Sequence, residues 1–278
     1  MNKHTIAVPP GVGDVYWCLT KLQAYRELHG VDHVELCVQR AGPGRSTLWS
    51  DMVDFVDSSS FLPFSPSVVL KHNNSGFAQP GPGGTNCIMW PNTVVDRGEP
   101  LANWLPELDM DLDFKVRTKP MGEPRVVVYA SSEAINRAWM SNLGGITYWL
   151  TLIETLTRLV GPVTLIAAQW DAPFSAKLAA TANAAGVEYE DLTAKTTLPE
   201  VADILQKACI VVGVISGMTI LANHFRTPTI ALYPTAHHQD FPRTWVAPDA
   251  PYLPICATDA PPAKELALLA QSIFRSSP

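Results

Sequence analysis

Four short apolar runs in the second half of the chain, RVVVYAS (125–131), VTLIAAQ (163–169), IVVGVIS (210–216) and PTIALYP (228–234), alternate with stretches of helical period. A strand that is apolar along its whole length needs cover on both faces, and a helix between successive strands supplies it. The alternation therefore restricts this half to an α/β architecture built on a parallel sheet. The intervening helices read as ITYWLTLIETLTRLV, which stops before Gly161-Pro162; FSAKLAATANAAG, which ends on glycine; TTLPEVADILQKA, with Pro199 in its first turn; GMTILANHFRT; and the closing PAKELALLAQSIFRS.

The first half opens in the same way. HTIAVPP reads as a strand, GVGD as a turn, and VYWCLTKLQAYREL as a helix with apolar residues at 15, 18, 19, 22 and 25. HVELCVQ is a second strand, and STLWSDMVDFVD a second helix behind a Ser/Thr cap. From about 57 to 112 the pattern degrades, and HNNSGFAQPGPGGTN reads as a long polar loop. DFKVRT is a candidate last strand. The chain has 278 residues, which favours two domains over one core. The boundary falls near TKPMGEP (118–124), giving domains at 1–120 and 121–278, with the last helix free to pack back on the first domain. Two Rossmann-like doubly wound domains facing a central cleft would gather the carboxyl ends of their strands around one site.

Net charge is −6, which weighs against a duplex nucleic-acid partner in bulk, although a local basic groove remains open. The five cysteines are scattered without a C-x-x-C pair, so neither a zinc site nor a disulfide framework is expected. No run reaches the ~18–20 apolar residues of a membrane span. The N-terminal stretch lacks a small-residue cleavage site. The expected location is cytoplasmic.

Two stretches could carry chemistry. In VPPGVGDVYW, Gly11 and Gly13 admit backbone angles that other residues resist, and the amides around Val12 open a helix. Asp14 is then either a helix cap or a tool. GVGDVY lacks the third glycine of a dinucleotide fingerprint. In IVVGVISGMTILANHFRTPTIALYPT, a strand ends at Ser216-Gly217 and a helix begins with Gly217, Met218 and Thr219. Free amides and the Ser216 and Thr219 hydroxyls would make an anion seat there, while Ser216 alone could be merely a cap. Tyr233-Pro234-Thr235 forms a second polar edge beside it.

GVGDVYWCLTKLQAYRELHG resembles the opening of family 9 glycosyltransferases, the heptosyltransferase group, which begin with a strand, a G-x-G-D loop and a helix. TLPEVADILQKACIVVGVISGMTILANHFRTPTIALYPT is similar to that family's nucleotide-binding segment. The resemblance implies a GT-B architecture: an acceptor-binding N-terminal domain and a nucleotide-sugar-binding C-terminal domain, with no metal and no separate cofactor. It implies that Asp14 is the general base for an acceptor hydroxyl that attacks the anomeric carbon with inversion. A hydroxyl is a poor nucleophile until a carboxylate within reach takes its proton, and a leaving diphosphate needs amides or positive charge. Ser131, Ser132 and Arg137, the last in a basic-x-Trp stretch, would contact the donor phosphates, and Gly217, Met218 and Thr219 would hold them through the backbone. Where the family carries an acid before [ST]-G this chain has Ile215, and where it carries His it has Ile220.

The acceptor is expected to be a glycan, a small molecule or a hydroxymethylated pyrimidine in DNA, for which Lys71, His72, Arg97, Lys115, Arg117 and Lys119 could form a basic face. Two other classes stay open: a nucleotide-binding or scaffold relative that lost the reaction, as Ile215 allows, and a nucleotide-sugar epimerase. His237, His238 and Asp240 read as a solvated turn, and Asp109, Asp111 and Asp113 as an acidic edge. Tyr148, Trp149 and Leu152 read as helix core.

Overall fold

A computed structural model of the chain describes residues 1–8, 11–39, 57–61, 78–79, 85–89, 125–131, 145–233, 246 and 250–276. The chain divides into two compact units, Met1–Val116 and Arg117–Pro278. The segment 118–124, where the sequence places the boundary, lies outside the described residues, as do the expected helix 46–56 and the strand DFKVRT.

The first unit holds β1 (Lys3–Val8), α1 (Val12–His29), β2 (His33–Val38), β3 (Ser58–Phe61), β4 (Ala78–Gln79) and β5 (Cys87–Met89). The strands form one sheet in the order β3-β2-β1-β5-β4, parallel except for the β4–β5 pair. Ile6, Ala7 and Val8 are fully buried at its centre, and Val15, Cys18, Leu19, Leu22 and Tyr25 form the buried stripe of α1. That spacing places them on one side of the helix. Gly30, at φ 57°, ends α1 in the left-handed conformation that glycine adopts without a steric penalty.

The second unit contains β6 (Val126–Tyr129), α2 (Gly145–Leu159), β7 (Val163–Leu165), α3 (Ala172–Ala185), β8 (Glu190–Asp191), α4 (Leu198–Lys207), β9 (Ile210–Val214), α5 (Gly217–His224), β10 (Thr229–Tyr233), β11 (Tyr252–Cys256) and α6 (Ala263–Ser276). Its six strands are all parallel, in the order β11-β10-β9-β6-β7-β8. Counted within the unit this is 3-2-1-4-5-6 read from the β8 edge, the doubly wound order of a Rossmann sheet. Trp149, Leu152, Ile153 and Leu156 of α2 are buried, as are Ala263, Leu266, Ala267 and Ala270 of α6. The two helices pack together. Each fully buried large side chain contributes about 1.5–3 kcal/mol. Gln271 of α6 donates to the Leu159 carbonyl at 2.8 Å, capping α2, so the last helix rests on its own unit.

Candidate active site

In a doubly wound sheet, ligands bind beyond the carboxyl ends of the strands where the order reverses. In the second unit that point lies between β6 and β9, which pair from Val126↔Ile210 to Tyr129↔Gly213. Gly213 is needed there for space: a Cβ on it would stand 2.5 Å from the Tyr129 carbonyl oxygen. Just beyond the two strands come Ser131 and Ser216, so the topology brings two expected donor contacts to one edge.

Ser131 is buried, and its hydroxyl donates to Asp171 Oδ1 at 2.9 Å. Asp171 Oδ2 accepts from the Ala168 amide at 3.1 Å. Asp171 was not singled out from the sequence, where QWDAPF carries only the signal of a helix cap before proline. It does precede α3, but its side chain makes no cap and ties the end of β6 to the loop after β7 instead.

Ser216 opens α5 in an extended conformation. Its hydroxyl accepts from the Met218 amide at 3.1 Å and, as one half of a capping box, from the Thr219 amide. The seat thus differs from one of bare amides: of the first three, only that of Gly217 has no partner among the described residues. Ser216, Gly217 and Met218 are half-buried, whereas Thr219 is fully buried. The Thr219 hydroxyl turns inward, accepting from the Ser216 amide at 3.0 Å and donating to the Ser216 carbonyl at 2.9 Å. Tyr233 is buried too, its hydroxyl 2.8 Å from that of Tyr252. Burial pushes both phenols well above their ordinary pKa and keeps them as neutral hydrogen-bonding groups.

In the first unit the expected turn GVGD is already helix. Gly11 is the N-cap, Val15 N–H donates to its carbonyl at 2.9 Å, and Asp14 is the third helical residue rather than the cap. Gly11 sits at φ −67°, so unusual backbone angles are not why glycine stands there. The reason is room: the Asp14 carboxylate folds back over Gly11, and a Cβ at position 11 would lie 2.6 Å from Asp14 Oδ2. Val12 and Asp14 are half-buried and Gly13 is buried. The carboxylate therefore belongs to the opening turn of α1, beyond the carboxyl end of β1, the central strand.

Ser132, Arg137 and the candidate basic-face residues lie outside the described residues, as do Asp109, Asp111, Asp113, His237, His238 and Asp240. Among the described residues, no three His, Cys, Asp or Glu side chains gather as metal ligands, and no helix is long and apolar enough to cross a membrane. Trp149 and Leu152 are core, and Tyr148 donates its hydroxyl to the Pro261 carbonyl at 3.0 Å.

The model of glycosyltransferase family 9 (heptosyltransferase) matches residues 97–262, more than half of the chain. The chain belongs to that family. It is a glycosyltransferase of the heptosyltransferase-like group and binds a nucleotide sugar. Among curated proteins none matches it. Among solved structures, it is similar to the family 9 glycosyl transferase from Veillonella parvula DSM 2008, with a TM-score of 0.64 at 10% identity over 99% of this chain and 98% of that one. It is also similar to E. coli ADP-heptose lps heptosyltransferase II (TM-score 0.60, 13% identity, 100% of both chains) and to E. coli heptosyltransferase WaaC solved with ADP (TM-score 0.57, 14% identity, 98% of this chain and 99% of that one). At such identities the likeness carries the fold, which is GT-B. This family 9 glycosyltransferase thus keeps the architecture where its sequence has departed far.

Proposed function

We propose that this family 9 glycosyltransferase moves a sugar from a nucleotide-diphosphate sugar to an acceptor hydroxyl by metal-independent, inverting displacement, with Asp14 as general base. The observation that carries the reading is the Ser216–Thr219 turn at the carboxyl end of β9, where α5 begins at the reversal of strand order. A helix start at that position binds phosphate through amides and the helix dipole. The solved relative that carries ADP supports a nucleoside diphosphate as the ligand.

In the proposed reaction Asp14 takes the proton of the acceptor hydroxyl, whose oxygen bonds to the anomeric carbon as the bond to the donor diphosphate breaks. The leaving diphosphate carries away the electron pair, and its charge is met by the Gly217 amide, the Ser216 hydroxyl and the dipole of α5. Ser131, held by Asp171, supports the same edge from β6, with Ser132 and Arg137 as further donor contacts. Ile215, half-buried beside Ser216, puts an apolar surface where an acid would otherwise meet the donor, so a donor other than the usual one is expected. The nucleotide sugar is the substrate and no cofactor is needed. The acceptor is a glycan or a hydroxymethylated pyrimidine in DNA, and the reaction is cytoplasmic.

The test is a panel of nucleotide sugars read by thermal shift and by donor turnover, with glycans and hydroxymethylated DNA as separate acceptor arms and a chelator arm. At least one donor should bind and turn over, unaffected by chelator. Asp14→Asn should bind that donor normally and lose about 10²–10⁴-fold in turnover. Binding by no donor, or an Asp14→Asn variant of full activity, contradicts the proposal. Conversion of the donor sugar without any acceptor would mark an epimerase.

A further inference from the structure

Thr219 is fully buried, so it closes the first turn of α5 without reaching a ligand. Its hydroxyl makes two bonds to one neighbour, accepting from the Ser216 amide at 3.0 Å and donating to the Ser216 carbonyl at 2.9 Å. A capping box needs only the first. The second is not required to start the helix, because the Ser216 carbonyl already accepts from the Ile220 amide at 3.2 Å. What it does hold is a peptide plane. The Ser216 carbonyl and the Gly217 amide belong to one rigid trans peptide, in which they point in opposite directions. Fixing the carbonyl along the helix therefore aims the Gly217 amide away from it. The matching position in α4 carries an acid: Glu200 accepts from the amide and the hydroxyl of Thr197, both at 2.9 Å. A carboxylate there suits the helix dipole. At the start of α5 it would repel a phosphate, and a neutral hydroxyl stands in its place.

We propose that Thr219 is a positioning residue for the donor seat: its uncharged side chain clamps both peptide groups of Ser216 and so aims the Ser216 hydroxyl and the Gly217 amide at the donor's phosphates, while touching none of them. This rests on the donor-seat reading above and deepens it. The clamp keeps Ser216 extended, at φ −166° and ψ 178°. In that conformation the Ser216 hydroxyl accepts from the Met218 amide and keeps its proton for a phosphate oxygen. Without the Thr219 hydroxyl, the Ser216 torsions gain freedom that phosphate binding must then remove. The loss falls on affinity, because valine at 219 would keep the volume of the side chain.

The experiment titrates the full chain with inorganic pyrophosphate, calorimetrically, well below the melting temperature of each variant. Ser216→Ala, which removes a proposed phosphate contact, marks the seat and should weaken binding. Thr219→Val should raise the dissociation constant about three- to tenfold. Thr219→Ser, which keeps the hydroxyl, should stay within about twofold of the parent. If Ser216→Ala weakens binding but Thr219→Val only lowers the melting temperature, or if Thr219→Ser loses as much affinity as Thr219→Val, the positioning role is overturned and the seat stands. Failure of the parent to bind pyrophosphate, or unchanged affinity in Ser216→Ala, overturns the seat and this role together. If Thr219→Val does not fold, Thr219→Ala replaces it, with the same rise expected and an unchanged dissociation constant overturning the role.

Discussion

At the scale of single residues, the opening turn of α1 turns on a pair that has to be read together. Asp14 is the proposed general base, and Gly11 leaves the space its carboxylate occupies. Gly11→Ala has no backbone reason to fail, since φ is −67° there. It should instead push the carboxylate aside by roughly an ångström, a displacement that costs about 10²-fold in kcat. Steady-state kinetics on the donor and acceptor found by the panel checks this. The expected result is a depressed kcat with donor affinity intact, and a kcat within about twofold of the parent would contradict it. Ser216 uses both sides of its hydroxyl: the oxygen accepts from the Met218 amide, which leaves the proton to donate to a phosphate oxygen.

Among the elements, β6 and β9 pair at close range, and Gly213 permits it. In Gly213→Ala the new methyl would meet the Tyr129 carbonyl oxygen at 2.5 Å and the Tyr129 Cβ at 2.9 Å. The strands would have to part, at a cost of about 1–3 kcal/mol, seen as a lower denaturation midpoint. An unchanged midpoint would contradict the close-approach account. Across β1 and β2, Lys3 Nζ lies 3.2 Å from Glu35 Oε2, and its hydrogen bond holds the Glu35 carboxyl below its usual value near 4.5, with Ser60 and Thr5 adding to the effect. A depressed folded-state pKa contributes stability above the ordinary pKa and loses it as pH falls through the folded value. Glu35→Gln should therefore lower stability near neutrality, by no more than about 1 kcal/mol for so exposed a pair, and the difference should vanish in acid. Denaturation at a series of pH values reads it, and a gap that persists or grows below the folded pKa would contradict the assignment.

The elements also show which parts of the fold were legible. Helices such as α2 and α6 announce themselves because one buried stripe recurs at helical spacing, and β6, β9 and β10 because both faces are buried. β3 reads Ser-Ser-Ser-Phe and offers no apolar pattern; its place is set by pairing with β2, which a local reading does not see. β11 carries Pro254 among further prolines at 248, 251, 261 and 262, a composition that disfavours a strand, yet it is an edge strand, where a missing amide is tolerated. α1 begins three residues earlier than its apolar stripe because Gly11 offers its carbonyl to Val15. At the candidate site, motif spacing pointed to Asp14 and Ser216, which lie at the openings of α1 and α5. It could not find Asp171, whose role comes from a partner 40 positions away, Ser131.

For the whole molecule, the proposed donor seat lies where the order of strands in the second unit reverses, and the chemistry proposed for this glycosyltransferase depends on it. A Rossmann order with the reversal between β6 and β9 leaves one edge where two serines and a helix start converge. Crystals of the full chain grown with ADP examine that directly. Phosphate oxygens should sit within hydrogen-bond distance of the Gly217 amide and the Ser216 hydroxyl, which donates its proton to them. A bound ADP whose phosphates lie elsewhere, with the Ser216–Thr219 turn unchanged, would contradict the account.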